Sequence, residues 1–530
     1  MNILIADHMS PAGIELLKAQ GDWNTIVSNP KEFQRHLGEA DALLVRSGVK
    51  VTREVLAQAP RLRVIGRAGV GVDNVDLVAA TEAGILVMNT PGGNAVSVAE
   101  HTMALMLAMA RSIPQANAST RAGRWEKKSL VGNELRGKTL GVIGLGSIGG
   151  EVVKRARAFE MRIIACDPYV TPETAAGLNV DLVDLPALYA QSDYISLHVA
   201  LTPETAGMLS REAFERMKHG VRIVNCARGE LIDEAALQEA IASGKVAGAA
   251  LDVFSKEPPP EGFRLFGLNS VIATPHIGGS TEEAQEIVGL RIVEQLIEYL
   301  RHGVAINAVN MPALSPEQYR MLGPYIALAE RLGTLAAHIA QGNPRGVRLV
   351  YSGRISENNT HLVRNAGLAG VLRRSLSQRA NLVNAMQIAS QRGLSVAERH
   401  EMRTGSMDSV KLELETEAGT TVVEGIVILG KLRVIQVDGI FFEAPLGGRL
   451  LFMKNQDVPG VIGAVGTILG ENRINIANFS LGRREAPLKP GEPLEAIAVV
   501  ETDEVVPETV LAQLRQLAPV KLARTVEFGS

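Results

Sequence analysis

The sequence comprises 530 residues, 46% of them hydrophobic and 21% charged, with a formal net charge of -3 at pH 7. This length predicts about three or four domains, and the near-neutral charge argues against a nucleic-acid or membrane-surface protein, because both usually carry a basic excess. Only two cysteines occur, Cys166 and Cys226, too few for a disulfide framework, so we expect a protein of the reducing cytoplasm.

Short apolar runs alternate with helical patterns over roughly the first 300 residues, which is typical of parallel α/β architecture. We expect strands at 2–6, 42–46, 62–67, 85–89, 139–144, 162–167, 194–199, 222–227, 247–253 and 270–275. Helices are expected at 97–110, which is apolar nearly all round, and at 282–301. No apolar run reaches the ~18–20 residues of a bilayer span, and the first residues lack a signal-peptide pattern, so no membrane association is expected.

The pattern changes beyond a proline-containing linker at 307–318. Alternating apolar and polar residues over 410–439, punctuated by glycine and Asp-Gly, predict antiparallel strands. The last ~80 residues follow the order strand, helix, strand, strand, helix, strand, which is typical of a ferredoxin-like domain. The chain is therefore expected to join a parallel α/β part to smaller α+β domains.

A glycine-rich turn, Gly144-Leu145-Gly146-Ser147-Ile148-Gly149, separates an expected strand from a helix. In this context the glycines allow a pyrophosphate to approach the backbone, and the N–H groups of the helix N-terminus face it. Asp167 ends the next strand, where a carboxylate accepts hydrogen bonds from a ribose 2′-hydroxyl and repels a 2′-phosphate. We therefore predict an NAD site. The alternative is a tight helix-packing turn without a ligand.

Three ionisable residues, Arg228, Glu257 and His276, follow strands of the same expected sheet. Ligands of open parallel sheets collect at the carboxyl ends of the strands, and these side chains suit the chemistry of a hydroxy acid. A guanidinium binds a carboxylate, an imidazole accepts a hydroxyl proton, and a carboxylate beside the imidazole raises its pKa. Each residue alone has an ordinary alternative, as a surface arginine, a loop acid or a strand cap. Their joint occurrence favours a catalytic set.

Five motifs occur in order along this part of the chain: GRAGVGVDNVD (66–76), GLGSIG (144–149), VNCARGELIDEAAL (224–237), GAALDVFSKEPP (248–259) and TPHIGGST (274–281). As a set they resemble the D-isomer-specific 2-hydroxyacid dehydrogenases, and most closely the long-form branch that oxidises D-3-phosphoglycerate to 3-phosphohydroxypyruvate in serine biosynthesis. The resemblance implies that Arg228 anchors the substrate, that His276 is the acid and base, and that Glu257 is the partner of His276.

The same resemblance implies the division of the chain into domains. A Rossmann-type NAD domain at 99–285 is expected to be inserted in a flavodoxin-like substrate domain at 1–98 and 286–312. An α+β intervening domain at 316–449 and a ferredoxin-like ACT regulatory domain at 450–530 are expected to follow.

The resemblance also assigns residues to the ligands. Those implied for the cofactor are Gly144, Gly146, Ser147, Ile148, Gly149, Asp167, Val199, Cys226, Ala227, Asp252, Gly278 and Gly279. Those implied for the substrate are Arg46, Ser47, Arg67, Asn94 and Lys128. A dianionic phosphate favours several cationic donors, although any one of these basic residues alone also fits a solvated surface charge. No metal ion is expected.

The segment KNQDVPGVIGAVGTILGENRINIANF (454–479) resembles an ACT domain. The resemblance implies L-serine as an effector, bound between paired subunits by Asp457 and Asn475. We expect a homodimer or a homotetramer, because the apolar helix at 97–110 needs cover and ACT domains usually pair.

Several alternatives remain open. A reductase for glyoxylate, hydroxypyruvate or another 2-keto acid would share the catalytic set, and an NADH-sensing binding protein would share the fold without turnover. In a third alternative, the ACT domain binds an amino acid other than serine. The basic residues Arg373, Arg374 and Arg379 also leave open whether the intervening domain binds an anion.

Overall fold

Four sheets in chain order organise the computed structural model, which describes residues 1–374, 380–402, 407–487 and 493–528. Arg379 lies outside these ranges. Within them, no helix is both long enough and apolar enough to cross a membrane.

The first sheet is built from short apolar strands, which are β1 (Asn2–Ile5), β2 (Asn24–Val27), β3 (Ala42–Val45), β4 (Val64–Arg67) and β5 (Leu86–Met88). The helices between them are α1 (Pro11–Lys18), α2 (Arg53–Ala57) and α3 (Leu77–Glu82). All five strands are parallel and lie in the order β2-β1-β3-β4-β5, which is the flavodoxin-like order. The sequence does not predict β2, because this edge strand, NTIV, buries none of its side chains.

The second sheet contains β6 (Thr139–Ile143), β7 (Arg162–Cys166), β8 (Asp181–Leu182), β9 (Tyr194–Leu197), β10 (Val221–Asn225), β11 (Val246–Leu251) and β12 (Val271–Ala273). Its helices are α4 (Ala95–Ala110), α5 (Ile113–Arg121), α6 (Ser147–Ala158), α7 (Pro172–Gly177), α8 (Leu185–Gln191), α9 (Arg211–Arg216) and α10 (Glu234–Ala242). The strands are parallel, in the order β12-β11-β10-β9-β6-β7-β8. This is the predicted Rossmann-type arrangement, in which the strand order reverses beside β6.

Two long helices follow, α11 (Glu282–His302) and α12 (Pro316–Ile339). α11 returns to the first sheet, where a Cβ on Gly66 of β4 would lie 2.8 Å from the side chain of Ile292. α12 begins with a capping box, because the Ser315 hydroxyl accepts the N–H of Gln318 and the Gln318 side chain accepts the N–H of Ser315.

A mixed sheet and an antiparallel sheet complete the chain. The mixed sheet comprises β13 (Pro344–Ser352), β14 (Ser395–Glu401), β15 (Ser409–Thr416), β16 (Gly419–Ile428), β17 (Lys431–Val437) and β18 (Ile440–Pro445), with α13 (His361–Arg373) and α14 (Ala385–Gln391). The antiparallel sheet comprises β19 (Arg449–Gln456), β20 (Ile476–Arg483), β21 (Glu495–Thr502) and β22 (Val520–Glu527), with α15 (Val461–Glu471) and α16 (Glu508–Gln516). The strand and helix order of this last unit confirms the ferredoxin-like prediction.

One buried core runs through α12 to both neighbouring units. It contains Val304 and Met311 on the side of the first sheet and Leu332 and Leu335 on α12. It also contains Phe452 on β19. The first sheet, the mixed sheet and the antiparallel sheet therefore share apolar packing through α12.

Candidate active site

The parallel strands β6, β10, β11 and β12 end at the same edge of the second sheet. The glycine-rich turn follows β6, Arg228 follows β10, Glu257 lies on the loop after β11, and His276 follows β12. The structure therefore brings the predicted cofactor turn and the three catalytic candidates to one edge, where ligands of such sheets bind.

His276 and Glu257 form a hydrogen-bonded pair, with Nδ1 of His276 2.7 Å from Oε2 of Glu257. The hydrogen bond to Glu257 raises the pKa of His276 above its ordinary value, against the opposing effect of burial. Burial raises the pKa of the Glu257 carboxyl, but the hydrogen bonds from His276 and from the N–H of Phe254 bring that pKa below its ordinary value. The carboxylate thus stays charged beside Nδ1, and Nε2 of the half-exposed imidazole is left for proton transfer.

A buried carboxylate, Asp252, supports the loop that carries His276. Its side chain is 1% exposed and accepts hydrogen bonds from the Thr274 hydroxyl at 2.6 Å and from the N–H groups of the two residues after His276 at 2.9 and 2.8 Å. Nε2 of His101, on α4, lies 3.2 Å from the same carboxylate. Burial raises the pKa of Asp252, but these hydrogen bonds lower it overall. The contacts hold His276 at a φ of 54°, which non-glycine residues seldom adopt.

Arg228 joins the two sheets, since its Nη2 lies 2.9 Å from Oδ2 of Asp73, on the first-sheet side. Two glycines make room for this arrangement. A Cβ on Gly71 would lie 2.1 Å from Nη2 of Arg228, and a Cβ on Gly229 would lie 1.9 Å from the carbonyl carbon of Phe254. The loops after β10 and β11 are therefore packed backbone to backbone, which places Arg228 close to the loop of the His276 partner.

Two further arginines, Arg46 and Arg67, stand at the carboxyl ends of β3 and β4. Burial lowers the pKa of Arg67 to about 10, and the positive charges of Arg228 and Arg46 act in the same direction. Nε of Arg67 is buried and has no hydrogen-bond partner among the described residues. Arg67 thus lies close enough to Arg228 and Arg46 to be repelled by both, although Asp73 and Asp7 act in the opposite direction. A substrate with more than one negative charge would relieve this repulsion.

The other predicted substrate residues are Asn94, Ser47 and Lys128, and they differ in their exposure and in their neighbours. Asn94 precedes α4, and a Cβ on Gly279 would lie 2.9 Å from its Nδ2, so Asn94 adjoins the loop of His276. Ser47 is exposed next to Arg46. Lys128 lies on the exposed loop after α5, and within the described ranges no hydrogen bond or ion pair joins it to the arginines.

The glycine-rich turn has the shape of a phosphate cradle. Gly144 has a φ of 95°, and a Cβ on Gly149 would lie 2.0 Å from the carbonyl oxygen of Gly144, so β6 and α6 approach too closely for a side chain. Gly146 is the N-cap of α6, whose first residues, Ser147 and Ile148, therefore direct free N–H groups at this turn. These donors fit the pyrophosphate of a dinucleotide.

Asp167 is fixed beside the turn, because its Oδ2 accepts the N–H of Leu145 at 2.8 Å. Each carboxylate oxygen has two acceptor sites, so Asp167 retains capacity for a ribose hydroxyl. The remaining cofactor candidates lie at the same sheet edge: Val199 after β9, Cys226 and Ala227 after β10, Asp252 after β11, and Gly278 and Gly279 after β12. Burial raises the pKa of the Cys226 thiol to about 12, so this thiol stays protonated and uncharged at neutral pH.

The two effector candidates lie in the antiparallel sheet, after β19 and before β20. Oδ2 of Asp457 accepts from Arg483 at 3.1 Å, and Nδ2 of Asn475 donates to Asp503 at 2.7 Å. Within the described part of the chain no hydrogen bond joins Asp457 to Asn475.

Asp73 and His101 are missing from the residues that the sequence singles out. Asp73 lies within the GRAGVGVDNVD motif, and this motif was the available signal. His101 lies in the apolar helix α4 and contacts a carboxylate 151 residues further along the chain, so no local pattern reveals it.

Comparison with known proteins gives matches along the whole chain. Three family models match in succession: D-isomer specific 2-hydroxyacid dehydrogenase, NAD binding domain, at 103–278; D-3-phosphoglycerate dehydrogenase intervening domain at 321–438; and ACT domain at 449–519. The chain is 44% identical to the D-3-phosphoglycerate dehydrogenase of Methanocaldococcus jannaschii over 98% of both chains. It is 37% identical to that of Bacillus subtilis over 99% of both chains.

Solved structures match the first part of the chain. A protein from Thermus thermophilus superposes with a TM-score of 0.54 at 36% identity, over 58% of this chain and 100% of its own. The D-lactate dehydrogenase of Aquifex aeolicus, solved with NAD and lactic acid, superposes with a TM-score of 0.52 at 28% identity, over 59% of this chain and 100% of its own.

Proposed function

The chain belongs to the D-3-phosphoglycerate dehydrogenase family, and we propose how its own residues perform the reaction of that family. It oxidises D-3-phosphoglycerate to 3-phosphohydroxypyruvate with NAD, the first step of the phosphorylated route to serine. The observation that carries the residue assignment is the His276–Glu257 pair, which lies at the same sheet edge as the glycine-rich turn and Arg228.

The oxidation removes a proton from the C2 hydroxyl and a hydride from C2. The turn of Gly144–Gly149 would hold NAD, which would supply the acceptor for that hydride. His276 accepts the hydroxyl proton at Nε2, and Glu257 stabilises the imidazolium that results, because its charge faces Nδ1. Arg228 binds the substrate carboxylate through a guanidinium that is now paired with Asp73.

Arg46 and Arg67 are assigned to the substrate phosphate. The repulsion within the arginine cluster supports this assignment, since Arg228 alone satisfies one carboxylate and two guanidinium groups remain. Ser47 and Asn94 add neutral polar groups to the same wall, whereas Lys128 has no support from its position.

The substrate assignment is tested by comparing kcat/KM for D-3-phosphoglycerate and D-glycerate, measured as NADH formation at alkaline pH. We expect a preference of at least about 100-fold for the phosphorylated substrate, which R46Q reduces. R63Q is the matched control, because Arg63 precedes β4 at the opposite edge of the sheet. Equal rates with both substrates would favour a general 2-keto acid reductase, and no turnover with either would favour an NADH-sensing protein.

We further propose that L-serine is the effector of the ACT domain. The charge of Asp457 suits an ammonium group and the amide of Asn475 suits a carboxylate, and both stand at strand ends of this domain. Thermal unfolding of the full chain with each of the amino acids tests this, since only a ligand of the native state raises the midpoint. A shift specific to L-serine that D457A removes supports the proposal. A shift with another amino acid instead would make that amino acid the effector. If none of the amino acids shifts the midpoint, effector binding is refuted.

A homo-oligomer is proposed from the apolar surface around α4 and α5. Trp125 and Val131, on the loop after α5, are 85% and 82% exposed, and Ile113 and Val96 are also exposed. Exposed groups of this size usually mark an interaction surface. The occupant that we assign is a second copy of this chain.

The domain limits given above remain our proposal, with the two junctions near helix starts. α4 begins at Ala95 and packs on α6, and α11 begins at Glu282 and packs on α1. We also place the enzyme in the cytoplasm, as suits its two free thiols, Cys166 and Cys226.

A further inference from the structure

The guanidinium of Arg228 has a carboxylate of the chain itself as its partner. Its Nη2 lies 2.9 Å from Oδ2 of Asp73, and its Nη1 donates to the carbonyl of Ala227 at 2.6 Å. A Cβ on Gly71 would lie 2.1 Å from Nη2 and 2.8 Å from Oδ2 of Asp73, so the pair lies directly on the backbone. A carboxylate that accepts two parallel hydrogen bonds from a guanidinium needs at least one of its terminal nitrogens. Both terminal nitrogens of Arg228 already have an acceptor.

Asp73 is held only by this pair. Its side chain is 68% exposed, and within the described part of the chain its carboxylate has no other hydrogen bond or ion pair. The next acid of the same motif differs, because Asp76 caps α3 by accepting the N–H of Ala79 at 2.9 Å. Asp76 therefore has a structural role, whereas Asp73 can move away from Arg228 without breaking any other contact.

The pair lies within electrostatic reach of the other residues assigned to the reaction. Burial lowers the pKa of Arg67 to about 10, the charge of Arg228 lowers it further, and the charge of Asp73 acts in the opposite direction. The hydrogen bond from Glu257 raises the pKa of His276, and the charge of Arg228 works against that rise. Asp73 therefore places a negative charge close to where an anionic substrate would lie.

A substrate carboxylate bound to Arg228 would meet the carboxylate of Asp73 at the same guanidinium. Two carboxylates that share one site repel each other, so substrate binding has to displace Asp73 or bear that repulsion. The hydroxy acid and the keto acid both carry this carboxylate, and both are weakened alike. A uniform change of this kind alters KM without lowering the barrier, and weaker binding of the product favours its release, which limits kcat in many enzymes.

On the basis of the anchoring role proposed for Arg228, we propose that Asp73 is an internal competitor for the substrate carboxylate. It occupies Arg228 until the substrate displaces it and pairs with Arg228 again as the product leaves. Asp73 thereby sets the affinity of the site for hydroxy and keto acids. Loss of such a competitor tightens binding, whereas loss of a carboxylate that merely positioned Arg228 would weaken it. The sign of the change distinguishes the two roles.

The variants D73N and D73A of the full chain test this at constant ionic strength. The KM for D-3-phosphoglycerate is measured from initial rates of NADH formation. The Kd of oxamate, which has one carboxylate and no phosphate, is measured on the NADH complex by fluorescence. Both constants should fall about two- to fivefold, as expected for the removal of an exposed ion pair, and kcat should not rise. E230Q is the matched control, because it removes the same charge from an exposed residue close to Arg228 in the chain.

A lower KM and a lower Kd in D73N and D73A, but not in E230Q, support the competitor. A KM that is unchanged, that rises or that falls equally in E230Q overturns it. A lower KM with an unchanged Kd of oxamate also overturns it, because Asp73 would then act on the phosphate group. R228Q tests the anchoring role separately, since it should raise both constants. If R228Q binds both ligands like the wild type, the assignment of Arg228 fails, whatever the Asp73 variants do.

Discussion

His276 owes its position to backbone contacts as much as to its partner Glu257. The sequence indicates both residues, because each stands in a motif after a strand. It does not indicate the support beneath them, in which Asp252 binds the loop of His276 and His101 reaches Asp252 from α4. Contacts of this kind join residues that are far apart in the chain, so they become visible only when the elements are packed.

His276→Ala should lower kcat/KM for D-3-phosphoglycerate by about 10²–10⁴-fold, because the hydroxyl proton loses its acceptor. The affinity for NADH should stay unchanged, since the glycine-rich turn and Asp167 remain. Initial rates and fluorescence titration measure the two quantities. The exposed His219 provides the control variant, H219A. Near-normal turnover of H276A would remove His276 from the mechanism.

Glu257→Gln should move the pH–rate profile of the oxidation to lower pH. The oxidation needs neutral His276, so the rate rises as pH passes the pKa of this imidazole. Glu257 raises that pKa, and a neutral amide no longer does so, which shifts the rise downward. The limb for the reverse reaction, which needs protonated His276, should shift in the same direction. A profile that keeps its position in E257Q would argue against the pairing.

Strands could be predicted from the sequence where both of their faces are buried, because such strands are continuous runs of apolar residues. The central strands β6 and β10 were expected within two residues of their observed bounds, because both of their faces are covered. β2 and β8 were not, since a polar edge strand and a two-residue strand carry no such run. The glycines of the turn after β6 were expected to let a pyrophosphate approach the backbone, and the structure adds that Gly149 also lets β6 and α6 pack closely.

Gly149→Ala should weaken NADH binding by about 10–100-fold, whereas Gly150→Ala should not. A Cβ on Gly149 would lie 2.0 Å from the backbone oxygen of Gly144, but a Cβ on Gly150 meets no atom within 4 Å. G149A must therefore push α6 away from β6, and the N–H groups of α6 move with it. G150A should instead stabilise the helix by about 0.5–1 kcal/mol. Titration with NADH and thermal unfolding distinguish the two. Equal affinities would refute the steric account.

At the scale of the whole molecule, the sequence predicts four domains but not the buried core that some of them share. The residues of α12 share a buried core with the first sheet and with β19 of the ACT domain. A shared core depends on which helix and sheet faces pack against each other. Hydrophobic periodicity shows that a face is apolar but not which other face covers it.

The proposed homo-oligomer can be tested through the exposed loop after α5. This loop returns to α4, since the N–H of Asn133 donates to the carbonyl of Ala110 at 2.8 Å. Val131 therefore lies close to the end of the apolar helix, and Trp125 lies on the same exposed loop. The double variant W125E/V131E should shift the chain towards monomer, because burying two carboxylates in an apolar contact costs several kcal/mol. Sedimentation velocity over a range of concentrations measures this shift. L429E is the control, since Leu429 is 97% exposed on the turn between β16 and β17. If W125E/V131E and L429E sediment alike, this surface is not where two copies of the chain meet.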